Sequence, residues 1–252
     1  MREFENNKMI EGRLIKKTII CEDIAVFEIV LEKQLKAKPG QFVMLWIPNV
    51  GERPFSPTKT GRVVELAVKR RGTFTRKLFT IDEGSYVGVR GPYGNGFNTK
   101  GVKKALVVAG GIGIAALVNL IESLKATKAD VDVIYSAKKC ESMVFLERIK
   151  KNAKVIAIIE ENKCVKTIEA LKELVDSKIY DYIYCCGPEP FMAEVSNFCR
   201  EANIRAEFSL ERKMKCAVGI CGSCICNGKL LCKSGPVFSC LQVSKILAEK
   251  KE

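Results

Sequence analysis

The chain contains no histidine. That absence excludes a Rieske-type iron–sulfur centre, whose second iron takes two imidazoles. It also excludes histidine acid–base catalysis and histidine-ligated haem or zinc. No uncharged apolar run reaches the ~18 residues of a membrane span. The opening stretch, Met1 to Lys8, has none of the apolar character of a signal peptide. The expected compartment is therefore the cytoplasm, where disulfides are rare. Lysine and arginine give a formal charge of +13, yet they are scattered, with no long basic block and no aromatic–basic alternation. This distribution argues against nucleic-acid binding and suits phosphate-rich ligands or an acidic partner.

What the chain does have is apolar material and thiols. Hydrophobic residues make up 47% of its 252 positions, enough for about two ordinary domains with real cores. Of its 12 cysteines, six fall between Cys216 and Cys240. Clustered thiols in a reducing compartment point to metal or redox chemistry rather than to disulfides.

The first hundred residues read as β-rich. Ile24–Leu31 and Gln41–Ile47 are apolar or β-branched runs, and Arg62–Lys69 alternates with Val64, Leu66 and Val68 on one face. Glycine and proline turn signals separate them, which predicts a small antiparallel barrel. From about Gly101 the pattern changes. Ala105–Ala109 reads as a buried strand, and Val131–Ser136, Val155–Ile159 and Tyr182–Cys186 read as three further strands, with helical stretches between them. One helix is expected from the Gly110 turn to about Ala126. Another spans Glu189–Ala202, with Phe191, Val195, Phe198 and Ala202 as its apolar stripe. Alternating strands and helices predict a doubly wound parallel sheet. The predicted organisation is a barrel over 1–100, an α/β domain over 101–207 and a small cysteine-rich module over 208–252. That module is too short for a core of its own, so a metal is expected to hold it together.

Several motifs fall on this frame. Arg53-Pro54-Phe55-Ser56 offers a guanidinium for a pyrophosphate and a hydroxyl for a flavin ring nitrogen, though an Arg-Pro at a strand edge is commonly structural. Gly72-Thr73 precedes a predicted helix, where free amides and a hydroxyl can bind phosphate; an ordinary helix cap reads the same way. The loop Gly91-Pro92-Tyr93-Gly94-Asn95-Gly96-Phe97 needs no function as a turn. Gly110-Gly111-Ile112-Gly113 follows a strand and opens a helix, a place suited to a pyrophosphate, but it is not the G-x-G-x-x-G fingerprint. Cys186-Gly187-Pro188 ends a strand, where open α/β sheets bind their ligands; Cys186 is the candidate for the nicotinamide site. Cys185 should point to the opposite face and be core. Cys199, Cys21, Cys140 and Cys164 read as small core residues.

The most specific signal is Cys216, Cys221 and Cys224 in C-x4-C-x2-C spacing, with Cys232 eight residues further on. This is the ligand run of a plant-type 2Fe-2S cluster, with Gly219, Gly222 and Ser223 small enough to turn backbone amides toward sulfur. A four-cysteine structural zinc site is the alternative, although zinc favours tighter C-x2-C pairs. Cys226 and Cys240 are spare thiols.

Taken in order, these motifs resemble those of the ferredoxin reductase superfamily. With Glu211-Arg212, Met214-Lys215-Cys216, Cys232, Gly235-Pro236-Val237-Phe238 and Gly94-Asn95-Gly96-Phe97, the chain resembles a narrower group within it, the electron-transfer subunits of NAD-dependent dihydroorotate dehydrogenase. The resemblance implies FAD contacts from Arg53, Pro54, Phe55, Ser56, Ala67, Val68, Lys69, Gly72 and Thr73. It implies a nicotinamide-nucleotide site lined by Gly110, Gly111, Gly113, Cys186 and Gly187, and four cluster ligands, Cys216, Cys221, Cys224 and Cys232. It also implies an FMN-containing catalytic partner, in a heterotetramer of two copies of each, and NAD as the acceptor. Lys138 and Lys139, near the end of the second α/β strand, would suit the 2′-phosphate of NADP instead. Three features depart from the group: Ala115-Ala116 replaces a proline usual after the glycine turn, the span from Cys224 to Cys232 is short, and Glu160–Lys163 carries no glycine-rich loop. Subunits of ferredoxin-dependent NADH:NADP transhydrogenase, sulfhydrogenase and anaerobic sulfite reductase share this architecture.

Overall fold

The structure, a computed structural model, describes residues 7–160 and 164–248. The signal-peptide reading at the N-terminus falls largely outside the described residues, as does most of the Glu160–Lys163 reading. Among the described residues no helix is long and apolar enough to cross a membrane.

Six antiparallel strands build the first unit: β1 (Ile10–Cys21), β2 (Ile24–Leu35), β3 (Phe42–Ile47), β4 (Gly51–Phe55), β5 (Gly61–Lys69) and β6 (Tyr86–Tyr93). Helix α1 (Thr73–Thr80) lies between β5 and β6. The strand order is β4-β3-β6-β1-β2-β5. The sheet rolls around one apolar core that includes Leu14, Phe27, Ile29, Leu45, Leu66 and Val89. Each such side chain contributes about 1.5–3 kcal/mol when fully buried. The alternation read at Val64, Leu66 and Val68 is real, since all three are buried. The two end strands, β4 and β5, are not hydrogen-bonded neighbours, so the barrel is open between them. Pro54 sits on β4, an edge strand, where the missing amide proton costs no ladder bond.

The second unit alternates strands and helices. Its strands are β7 (Lys104–Gly110), β8 (Asp130–Ala137), β9 (Lys154–Ile159), β10 (Tyr182–Cys186) and β11 (Ala206–Ser209). Its helices are α2 (Val118–Ala126), α3 (Leu146–Lys150), α4 (Val165–Ser177) and α5 (Glu189–Glu201). The five strands are parallel, and the chain runs outward through β8 and β9 before returning to β10 and β11 on the other side of β7. The switch point therefore lies between the carboxyl ends of β7 and β10, where such sheets bind ligands.

Two helical readings change in detail. The turn after β7 is a tight 3-10 helix over Gly111–Ala116, and the α-helix starts only at Val118. On α5 the buried stripe is Phe191, Met192, Val195, Ser196 and Cys199, whereas Phe198 is half-buried and Ala202 exposed. Cys199 lies within this stripe, a small core residue as expected.

The last segment holds β12 (Ile225–Cys226), β13 (Lys229–Leu230), α6 (Leu231–Ser234), β14 (Val237–Ser239) and α7 (Cys240–Ala248). Strand β14 pairs antiparallel with β11, adding a sixth strand to the α/β sheet. Cys224, Cys232, Ala217 and Met214 share one apolar core with Phe208, Phe238, Val243 and the barrel residues Phe42 and Met44. These side chains are therefore buried against both other units, whereas Ile220, Ile225 and Leu241 of the same segment are exposed.

Candidate redox site

Two adjoining cavities lie at the carboxyl edge of the α/β sheet. The smaller, about 560 Å³, opens where β4 and β5 fail to meet. Arg53, Pro54, Phe55 and Ser56 line it from β4 and its exit; Ala67, Val68 and Lys69 line it from β5, and Gly72 and Thr73 from the start of α1. All nine residues expected to contact FAD thus face one space. Gly72 is the N-cap of α1, and the Thr75 hydroxyl oxygen accepts bonds from the Arg71 and Gly72 amides at 2.9 and 3.0 Å. The helix start keeps its first amides and the positive end of its dipole toward the cavity, as a phosphate requires. Arg53 lies over the Phe74 ring at 5.8 Å, which places its guanidinium beside that helix start.

The larger cavity, about 1050 Å³, is lined by Gly110, Gly111, Gly113 and Gly187, together with Lys138 and Glu160 beyond the ends of β8 and β9. Lys69, Arg71, Ile112, Gly113 and Glu211 line both cavities, so the two are contiguous. The glycines here have distinct reasons. A Cβ on Gly113 would lie 2.5 Å from the Cys186 carbonyl oxygen, so only glycine lets the turn pack on β10. Gly111 has free space around it and a φ of +54, so its need is conformational.

Cys186 forms part of the smaller cavity's wall, at the junction. Burial drives its thiol far above the ordinary range, the Glu211 carboxylate adds to this, and a hydrogen bond with Ser209 only partly offsets it. It is a neutral thiol that shapes the wall, not a nucleophile. Cys185, on the other face of β10, is fully buried as expected. The core reading fails for Cys140, which is exposed, and holds only partly for Cys21 and Cys164, both half-buried. Cys140 sits in a surface 3-10 turn, and Cys164 borders the larger cavity.

The loop Ser209–Met214, which carries Glu211-Arg212 and Met214 of the family signature but has no binding role from sequence, lines the smaller cavity throughout. Its path is set by β11, which ends at Ser209 beside Cys186, and it leads directly to Cys216. The loop Gly91–Phe97 also does more than turn. Asn95 donates from its amide to the Gly235 carbonyl at 2.6 Å and from Nδ2 to the Ser234 carbonyl at 3.0 Å. A Cβ on Gly94 would lie 2.5 Å from that same Gly235 oxygen. This loop is the seam between barrel and cysteine segment.

The four candidate ligands form two pairs. Cys224 and Cys232 are buried with sulfurs 3.4 Å apart, too long for a disulfide. Cys221 is exposed, and its amide donates to the Cys216 sulfur at 3.4 Å. Gly219 and Gly222 take φ of +81 and +71, turning the backbone around the sulfurs. Hydrogen bonds from Ser223 and Cys216 hold the Cys221 thiol down at about 6, so it is a ready thiolate. Burial and the neighbouring Cys224 push Cys232 up to about 12, a proton that metal binding would displace. Among the described residues no three Cys, Asp or Glu side chains are gathered closely enough to hold a metal ion. Two thiol pairs fit a two-iron cluster, which takes two thiolates per iron. Cys226 lies 3.3 Å from Arg212, and Cys240 is buried against Ser196; neither joins the pairs.

Comparison with known proteins agrees with this layout. Residues 11–97 match an oxidoreductase FAD-binding domain, and residues 211–244 match the iron–sulfur cluster binding domain of dihydroorotate dehydrogenase B. Residues 90–207 match the N-terminal domain of dimethylamine monooxygenase subunit DmmA-like proteins. The probable dihydroorotate dehydrogenase B (NAD(+)) electron transfer subunit of Methanocaldococcus jannaschii is 38% identical over 227 residues, covering 88% of this chain and 87% of that protein. The chain belongs to the family of dihydroorotate dehydrogenase B electron transfer subunits. A further member, from Pyrococcus furiosus, is 36% identical over 222 residues, covering 87% of this chain and 86% of its own. Among solved structures, the NADH-dependent reduced ferredoxin-NADP oxidoreductase superposes with a TM-score of 0.83 at 25% identity, covering 95% of this chain and 94% of that one. Phthalate dioxygenase reductase superposes at 0.67 with 22% identity over 77% of this chain and 64% of that one, a likeness of fold. As an electron transfer subunit the chain is a redox protein with an FAD-binding and an iron–sulfur-binding domain, and it works with a catalytic partner.

Proposed function

We propose that this chain carries electrons from an FMN-containing dihydroorotate dehydrogenase subunit to NAD⁺, in a cytoplasmic heterotetramer with two copies of each subunit. The observation that carries the reading is the Ser209–Cys216 stretch: the loop that walls the flavin cavity runs straight into the first cluster cysteine. The division into 1–100, 101–207 and 208–252 follows the three tasks of holding flavin, nucleotide and cluster.

When bound, FAD and the 2Fe-2S cluster supply hydride exchange with nicotinamide and single-electron transfer. The chain's own residues bind and orient. Gly72, Thr73 and Arg53 hold the pyrophosphate at the start of α1. Pro54 to Ser56 and Ala67 to Lys69 would hold the flavin on the open side of the barrel. Gly110, Gly111, Gly113 and Gly187 let the nucleotide approach the switch point, and Cys186 closes the wall with an uncharged side chain. Cys216, Cys221, Cys224 and Cys232 hold the cluster. No base for dihydroorotate is required here, since that step belongs to the partner.

The test is to co-purify the chain with its partner and assay dihydroorotate-dependent NAD⁺ reduction. NADH production in step with orotate supports the reading; a partner that binds but shows no such turnover overturns it. The superposition with the ferredoxin-NADP oxidoreductase favours a second reading, a subunit that exchanges electrons between ferredoxin and NADP. Lys138 on the larger cavity also suits NADP. Reduction of NADP⁺ by ferredoxin, without dihydroorotate turnover, would select it.

A further inference from the structure

Arg90 lies on β6, between β4 and the cysteine loop, and its guanidinium bonds Glu52, Tyr93, Cys216 and, at 3.3 Å, the Asn7 side-chain oxygen. Nε donates to Glu52 Oε2 at 2.7 Å, and Nη2 donates to the second Glu52 carboxylate oxygen. Nη1 donates to the Tyr93 hydroxyl at 2.8 Å. Nη2 also donates to the carbonyl oxygen of Cys216 at 3.0 Å, across 126 positions of sequence. Glu52 is held from its other side, because Arg53 Nη1 donates to its carbonyl oxygen at 2.6 Å. Glu52 adjoins Arg53 on β4, so the link from the flavin cavity runs along the β4 backbone to the Glu52 carboxylate, and from there through Arg90 to the Cys216 carbonyl.

Such bonds are short and directional, and they fix position as well as adding energy. The Arg90 side chain is only 12% exposed, so its charge acts with little solvent screening. Glu52 balances that charge, but the guanidinium is the end that touches Cys216. The pair therefore points its positive end at the cysteine loop. Net charge and hydrogen bonding near the sulfurs are what set an iron–sulfur potential. The Asn95 seam to Ser234 and Gly235 fastens the same segment to the barrel independently. Asn95 thus secures the Ser234–Gly235 end, and Arg90 is the side chain that bonds the Cys216 end.

We propose that Arg90 is a positioning residue: it fixes the first cluster cysteine relative to the flavin-binding strand and raises the cluster's reduction potential. This rests on Cys216 being a cluster ligand.

The test uses the holoprotein with Arg90→Gln and Arg90→Lys, measuring iron per chain, the cluster midpoint potential by redox titration, and the rate at which NADH bleaches the cluster band. Arg90→Gln is expected to lower the potential and slow bleaching at least tenfold, with FAD content retained; Arg90→Lys should recover part of both. Wild-type potential and rate in Arg90→Gln overturn the proposal. So does a loss of thermal stability with the potential unmoved. Should Arg90→Gln fail to fold, Glu52→Gln removes the balancing charge and keeps the cation, so the potential should rise; no rise overturns the proposal. Cys216→Ser, run in parallel, tests the ligand reading separately. Full iron content and an unchanged visible spectrum in that variant overturn the ligand assignment whatever Arg90 does.

Discussion

Arg148 Nη1 donates to Glu65 Oε1 at 2.6 Å, tying helix α3 of the nucleotide unit to strand β5 of the barrel. The same guanidinium grips Glu122 of α2 through Nε and Nη2 at 2.6 and 2.8 Å, and Nη2 reaches the Thr58 carbonyl at 3.0 Å. Thr58 in turn donates its hydroxyl to Glu65 at 2.6 Å. One side chain thus clamps the barrel to the α/β unit. Arg148→Ala leaves Glu65 partly buried without its cation. A loss of about 2 kcal/mol is expected, seen as a fall in Tm of roughly 4–8 °C. Arg148→Lys should recover less than half, because an ammonium cannot serve Glu65, Glu122 and Thr58 from one planar fork. Calorimetry of the holoprotein checks both.

Gly113 and Gly111 are neighbours in one turn but should fail differently. Alanine at Gly113 puts its Cβ 2.5 Å from the Cys186 carbonyl oxygen and 2.6 Å from its carbon, both rigid backbone. The end of β10 must move, at about 1–3 kcal/mol, and Cys186 moves with it. Gly113→Ala should therefore weaken both FAD retention and NADH binding. Alanine at Gly111 meets nothing, and costs only about 1 kcal/mol of left-handed strain. NADH titration of the two variants, beside their flavin content, separates a steric wall from a flexible turn.

The elements legible in the sequence were those with a period. Strand β10 was read at its observed bounds, and β2, β3, β5, β7, β8 and β9 within a few residues, because each is apolar or alternating. Strand β1 escaped notice since only Gly12 and Leu14 of its twelve residues are buried, leaving almost no alternation. Strands β12, β13 and β14 are two or three residues long, too short for any pattern. Residues such as Gly72-Thr73 and Cys216–Cys224 carried their chemistry in local spacing. The flavin cavity did not, because it exists only where β4 and β5 lie at opposite ends of the sheet order. The roles of Ser209–Met214, Arg90 and Arg148 depend on partners far away in the chain, which no local window contains.

Acid should weaken the nucleotide unit through Asp132. This carboxylate is 4% exposed and accepts bonds from Lys178 Nζ at 2.6 Å and the Tyr180 hydroxyl at 2.7 Å. Burial alone would raise its pKa, but the bonds from Lys178 and Tyr180 outweigh it and hold the carboxyl below the ordinary value. A folded pKa below the unfolded one gives stability that is present above about pH 3.9 and is lost as pH falls through the folded value. Asp132→Asn should lower Tm at pH 7 and flatten its fall below pH 4. An unchanged acid slope in that variant would place the sensitivity elsewhere.

Cys221→Ser separates the cluster from the flavin. Cys221 is the exposed member of its pair, so a serine there disturbs packing little while removing a proposed thiolate ligand. Iron content and the iron–sulfur absorbance should fall sharply, turning a yellow-brown preparation to flavin yellow. Reduction of FAD by NADH should persist, because Arg53, Gly72, Thr73 and Cys186 line the cavities and are untouched. Electron exchange with the partner subunit should stop. Cys140→Ser, at an exposed thiol far from the pairs in sequence, is the matched control and should change neither spectrum nor turnover. Metal analysis of the unaltered protein should return iron. Zinc in its place, with a colourless preparation, would make the cysteine segment a structural site. Full coupled turnover in Cys221→Ser would remove that residue from the ligand set.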